Sequence, residues 1–182
     1  MKFHLDIRRV TEHLRRRFEQ TLPIPVIRQP LDMVCWATCY RMVDQWANPS
    51  TSSTWCHSMR CSPPSTPVCT VPRTACNEPR PTSIVLADWQ TLGYVGTMQV
   101  DRPLTLTEVR HSIQDKSPLM VFLEYPGQSV GHYFLIVGTG RLRGTADTSY
   151  IVADPLSDRL SEVEISELGQ RGVWRRTWKV KA

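Results

Sequence analysis

Gln29-Pro-Leu-Asp-Met-Val-Cys35-Trp36-Ala37-Thr38 is the stretch that decides how this 182-residue chain is read. Ahead of it, Leu22-Pro-Ile-Pro-Val-Ile27 is held extended, because a residue before proline is pushed out of the α region. Behind it, Met33 to Trp46 is predicted to be a buried helix. Trp36, Tyr40, Val43 and Ala47 recur on one face with Ala37 beside them, and Asn48-Pro49 ends the run. Cys35 therefore stands where an extended approach turns into an apolar helix. A helix N-terminus favours the thiolate, the nucleophilic form of cysteine. Gln29, six residues earlier, can fold back so that its side-chain amide and the Cys35 backbone N–H point at one spot. Two such donors make an oxyanion hole for a tetrahedral intermediate.

Further along, helix and strand patterns alternate. Leu104 to Lys116 carries the start signals Thr105 and Thr107 and apolar Leu106, Val109 and Ile113, which predicts an amphipathic helix. Pro118-Leu-Met-Val-Phe-Leu-Glu124 reads as a strand and Tyr125-Pro-Gly-Gln-Ser-Val-Gly131 as a turn. His132-Tyr-Phe-Leu-Ile-Val-Gly138 reads as a second strand, and Tyr150-Ile-Val-Ala-Asp154-Pro155 as a third, joined by Arg141 to Thr148. Val173 to Val180 is expected to be a last strand with Trp174 and Trp178 on one face. A helix followed by an antiparallel sheet is an α+β pattern.

Two further chemical groups sit on these strands. His132 opens an apolar strand after Gly131, whose missing side chain lets the backbone pass close by. Asp154 ends the next strand. If the two strands pair, Asp154 accepts a hydrogen bond from His132 and fixes its ring, giving nucleophile, base and orienter in chain order. Taken singly, each has a plainer role. A helical cysteine is most often a small buried hydrophobe, as Cys39 is expected to be. A histidine at a strand start is usually on the surface, and Asp-Pro is a common strand terminator. Their combination argues otherwise, because His4, His13 and His57 lie in polar contexts and His111 is on the polar side of its helix.

Between helix and sheet lobe, residues 48–83 form a Cys/Pro-rich insert without helical or strand period. It holds Cys56, Cys61, Cys69 and Cys76, and six of the 14 prolines lie between Pro63 and Pro81. A loop of that length needs a staple or a function. Two disulfides would serve, with three connectivities open. Zinc, with His57 as a spare ligand, lacks a C-x2-C pair, and free thiols remain the third alternative. Disulfides would imply an oxidising destination.

The whole is expected to be one domain, 1–182, with a basic arm over 1–21, the insert over 48–83 and the sheet lobe over 104–182. With 41% hydrophobic and 21% charged residues it is neither disordered nor collagen-like. No run approaches a membrane span, and Met1–Gln20 has no apolar core, so no secretory signal peptide is expected. The net charge of +5 resides in the two ends, leaving the body between them net acidic. That distribution argues against nucleic acid as a partner, since such a face clusters base on the folded body.

Gln29, Cys35-Trp36, the Gly131-His132 strand and Asp154-Pro155 together resemble the papain-like cysteine peptidases. They are most similar to the compact bacterial branch of C39-type and AvrRpt2-type proteases, a likeness that covers roughly residues 22–47 and 104–156. Leu106-Thr-Glu-Val-Arg-His-Ser-Ile113 before Pro118-Leu-Met-Val121 shares it. Of the C-G-[SA]-C-[WY] signature of plant and lysosomal enzymes only the Cys-Trp step is kept. The resemblance implies a papain-like fold and a Cys35–His132–Asp154 triad with Gln29 as oxyanion donor, needing no cofactor and no metal. Trp36 is expected to pack the helix against the sheet. The resemblance also implies a protein or peptide substrate and a secreted effector or toxin, delivered without a signal peptide to act in a target cell. A cognate immunity protein plugging the cleft would then be its partner. Two alternatives use the same residues: transglutaminase- or amidase-type acyl transfer, peptidoglycan included, and an inert binding module.

Overall fold

The computed structural model describes residues 21–49, 77–128, 130–141 and 148–181. Residues 1–20 of the expected 1–21 arm, residues 50–76 of the insert with Cys56, Cys61, Cys69 and Cys76, and residues 142–147 of the connection lie outside the described residues. So does the question of two disulfides. The described ends of the insert, 48–49 and 77–83, run without regular structure apart from turns.

The expected first helix is present as α1, Cys35–Ala47. Its burial is wider than one face. Cys35, Trp36, Ala37, Thr38, Cys39, Tyr40, Met42 and Val43 are all buried, leaving Gln45 exposed. A helix enclosed on most sides is a core helix, and each fully buried aliphatic side chain in it contributes about 1.5–3 kcal/mol. Asn48 ends it, its N–H bonding to Asp44 O at 2.8 Å.

Two short elements follow that carry little periodic signal, helix α2 (Val85–Thr91) and strand β1 (Met98–Val100). Helix α3 (Leu106–Gln114) starts at Thr105 through a capping box. The Thr105 side chain accepts the Glu108 N–H while the Glu108 carboxylate accepts the Thr105 N–H at 2.8 Å. Of the two threonines read as start signals, Thr105 is the cap.

The strands are β2 (Leu119–Glu124), β3 (Gly131–Arg141), β4 (Thr148–Ala153), β5 (Ser161–Glu164) and β6 (Val173–Lys179), with helix α4 (Ile165–Arg171) between the last two. They form a six-stranded sheet in the order β1-β6-β2-β3-β4-β5, antiparallel throughout. Strand β5 and helix α4 were not expected from the sequence. Among the described residues the fold is α+β, with α1 and α3 both packed on β3.

Strand β3 outruns β2. Leu119, the first residue of β2, pairs with Ile136, and the extended segment before α1 takes over beyond that point. Thr21 bridges Gly138, and the Leu22 N–H bonds Val137 O at 2.7 Å. The approach to Cys35 is thereby tied to the strand that begins with His132.

One expectation fails. Trp178 pairs with Met120 and Trp174 with Leu123, and the register slips between Phe122 and Leu123. Met120 and Leu123 are an odd number apart, so they face opposite sides of β2. The extra residue, Arg175, is a β-bulge that turns Trp174 away from the face of Trp178. Trp178 stacks toward Tyr133 at 5.9 Å, and Trp174 meets Tyr150 on the other side.

Candidate active site

Cys35 is the first residue of α1, and Val34 before it provides no side-chain cap. The N–H groups of a first turn have no intrahelical acceptor, so positive potential gathers where the thiol lies. The entry is held from outside the helix: the Met33 N–H bonds the Asn77 side chain at 2.9 Å. Cys35 is 7% exposed and opens into a cavity of about 640 Å³. Cys39, one turn on, is fully buried. Burial first, then the proximity of Cys35 and Asp154, pushes its thiol well above the usual range. Of the two cysteines of this helix, only Cys35 lines the cavity.

His132 is the second residue of β3, opposite Leu123. Asp154 stands just beyond β4, whose last residue, Ala153, pairs with Leu135. The strands therefore deliver the carboxylate to the ring, and His132 Nε2 lies 2.7 Å from Asp154 Oδ1. That oxygen also accepts the Leu156 N–H at 2.8 Å, which fixes the carboxylate's own rotamer. With Nε2 engaged, Nδ1 is the ring nitrogen left for Cys35, which lines the same cavity as His132.

The electrostatics follow from that geometry. Burial disfavours the imidazolium, but the hydrogen bonds to Asp154 and Cys35 and the charges of both outweigh it, so the His132 pKa is pushed up to about 9. For Asp154, burial opposes ionisation, and the hydrogen bond and charge of His132 act against that effect. The Leu156 N–H and the Arg171 charge add to this, and its pKa falls below the usual carboxylate range.

Gln29 is brought to the same cavity. Its backbone N–H bonds Pro155 O at 2.8 Å, so the residue after Asp154 holds the loop before Cys35. Its side-chain amide is partly committed: Nε2 donates to Asp32 O at 3.0 Å, closing the turn over residues 30–33. An amide nitrogen has two hydrogens, so one remains. Oε1 is buried without a hydrogen-bond partner among the described residues.

Trp36 is buried within the core that α1 shares with the sheet. Its indole N–H donates to Glu78 O at 2.9 Å and to Met33 O at 3.1 Å, binding α1 to the end of the insert. The described tail of that insert, Pro79 to Ser83, is a wall of the cavity, facing Phe122, Gly131, His132 and Tyr133. Arg80 in this wall is a residue the sequence reading passed over, since a proline-rich stretch without period offers no signal for a buried ion pair. His111 is exposed, as expected of the polar side of α3. Among the described residues no group of three or more His, Cys, Asp or Glu is arranged to hold a metal ion, and no helix is long and apolar enough to cross a membrane.

A thiol at the start of a buried helix, facing an imidazole and carboxylate carried on an antiparallel sheet, is the arrangement of a papain-like cysteine peptidase. Residues 18–171 match the family model described as papain-like cysteine protease AvrRpt2, and the chain belongs to that family. Comparison with curated proteins finds none that matches.

Proposed function

We propose that the protein is a cysteine endopeptidase in which Cys35 is the nucleophile, His132 the base and acid, Asp154 the orienter and Gln29 an oxyanion donor. The observation that carries this reading is that Cys35 and His132 line one cleft large enough for a peptide while Asp154 bonds the His132 ring. His132 Nδ1 takes the thiol proton, leaving a thiolate–imidazolium pair. The thiolate attacks a peptide carbonyl, and the oxygen's developing charge meets the Cys35 N–H and the second Nε2 hydrogen of Gln29. His132 then protonates the leaving amine. In the second half, His132 takes a proton from water, which attacks the thioester and releases Cys35. These steps use no cofactor.

Family membership supports a role as an effector acting on a protein or peptide substrate in a target cell. A cognate inhibitor or immunity protein is its natural partner. Terminal proteomics on cells expressing the protein, set against a Cys35→Ala control, tests the reading directly. New termini confined to the active protein are expected, and none would overturn it. Parallel incubations with purified cell wall and with protein plus an amine donor score the amidase and transglutaminase alternatives.

A further inference from the structure

We propose that Arg80 is a positioning residue that sets the width of the cleft, and through it the affinity for the peptide chain that enters. The inference rests on the protease reading above and concerns how that site is built. Arg80 lies between Pro79 and Pro81, whose rings restrict the local backbone. Its guanidinium is spread across both oxygens of Asp88, with Nε 2.6 Å from Oδ2 and Nη2 2.5 Å from Oδ1. Asp88, on α2, is only 5% exposed. The Tyr40 hydroxyl, from α1, donates to the same Oδ2 at 3.2 Å. Burial and the neighbouring Asp88 hold that phenol far above its usual pKa, so it stays a donor. The guanidinium also lies over the Trp36 ring, 5.1 Å from its centre.

The other end of Arg80 reaches the sheet. Its backbone carbonyl accepts the Tyr133 hydroxyl at 2.7 Å. One residue therefore joins α1, α2 and β3, gripping Trp36, which follows Cys35, and Tyr133, which follows His132. It touches neither of those two reactive groups. Its charge is already matched by a buried carboxylate, so it is not a free cation waiting for an acidic side chain. What it supplies is a fixed separation between the helix side and the strand side of the cleft. Lysine cannot reproduce the forked, bidentate contact.

The test uses the full chain and the variants Arg80→Lys and Asp88→Asn. Three quantities are read: kcat and KM on a peptide taken from the proteomic cleavage set, the rate of Cys35 alkylation by iodoacetamide, and amide hydrogen exchange over residues 77–83. Arg80→Lys is expected to raise KM, up to about tenfold if the whole of the lost charge-assisted hydrogen bond serves to hold the cleft. The kcat value and the alkylation rate should stay near wild type, while exchange over 77–83 accelerates. A folded Arg80→Lys protein with unchanged KM and unchanged exchange overturns the proposal, as does a loss confined to kcat. If the wild type cleaves nothing, the protease reading fails by itself. The exchange arm then still decides the clasp: acceleration over 77–83 supports it and retained protection rejects it. Should Arg80→Lys fail to fold, Tyr133→Phe removes only the hydroxyl held by the Arg80 carbonyl and is read by the same three measurements.

Discussion

Replacing Gly131 by alanine places a methyl carbon 2.2 Å from the Leu123 carbonyl oxygen and 2.6 Å from the Phe122 ring. Side-chain carbons essentially never approach other atoms closer than 3.0 Å, and the nearest atom here is backbone. Strand β3 must therefore back away from β2 by close to an ångström at its first residue. His132 is the next residue, its ring lies 2.7 Å from Asp154, and Cys35 lines the same cavity. A misplacement of about 1 Å in a reacting group costs on the order of 10²-fold in rate. Overpacking of this kind destabilises by about 1–3 kcal/mol, which leaves the protein folded in a thermal scan. The assay is kcat on a cleaved peptide, together with the His132 pKa by NMR. Activity should fall about a hundredfold, and the pKa should drop from about 9 toward 6.5 as the bond to Asp154 loosens. Gly169→Ala is the control, because a Cβ there meets nothing within 4 Å. A Gly131→Ala protein with wild-type kcat and an unmoved His132 pKa would refute the steric argument.

Cys35→Ala and His132→Ala should each abolish peptide cleavage with the fold retained by circular dichroism, Asp154→Ala should be milder, and cleavage surviving Cys35→Ala would sink the nucleophile assignment. Gln29→Ala should lower kcat by on the order of 10²–10³, roughly 2.7–4 kcal/mol, with KM little changed and Gln29→Glu at least as poor; steady-state kinetics showing near-wild-type kcat would remove Gln29 from the oxyanion site. Stability should also depend on pH with a definite sign. The folded-state pKa of His132 is raised, so its contribution is complete below about 6.5 and is lost as pH rises through about 9, a total of about 3 kcal/mol. Denaturant titrations between pH 6 and 10 should show that loss, and His132→Gln should remove it. Asp154 behaves oppositely: its pKa is depressed, so its contribution holds above the usual carboxylate range and disappears as pH falls through its lowered folded value.

Much of the candidate site was readable because each residue proposed for it sits on a local signal. Cys35 begins the apolar run of α1, and the Gly131-His132 pair opens the apolar run of β3. Asp154 is placed by a β-rich segment and a proline. Periodicity and proline are properties of a few neighbouring residues, so the chain states them without tertiary help. The helix, the three central strands and the α+β class follow from those same local signals. Short elements such as α2, β1 and β5 have too few residues to establish a period, and packing alone makes them regular. The bulge at Arg175 is equally invisible, because a one-residue slip depends on what two distant strands bury against each other. That slip decided the side on which Trp174 lies. Tertiary structure also decided which groups meet: Gln29 is anchored through Pro155, and its amide is shared with Asp32. Arg80 became a clasp because Asp88, Tyr40 and Tyr133 converge on it from three elements. Local sequence marked the residues proposed to carry the chemistry, since reactivity resides in side chains and short-range conformation. Only the fold could set the distances between them, because those are fixed by contacts among residues far apart in the chain.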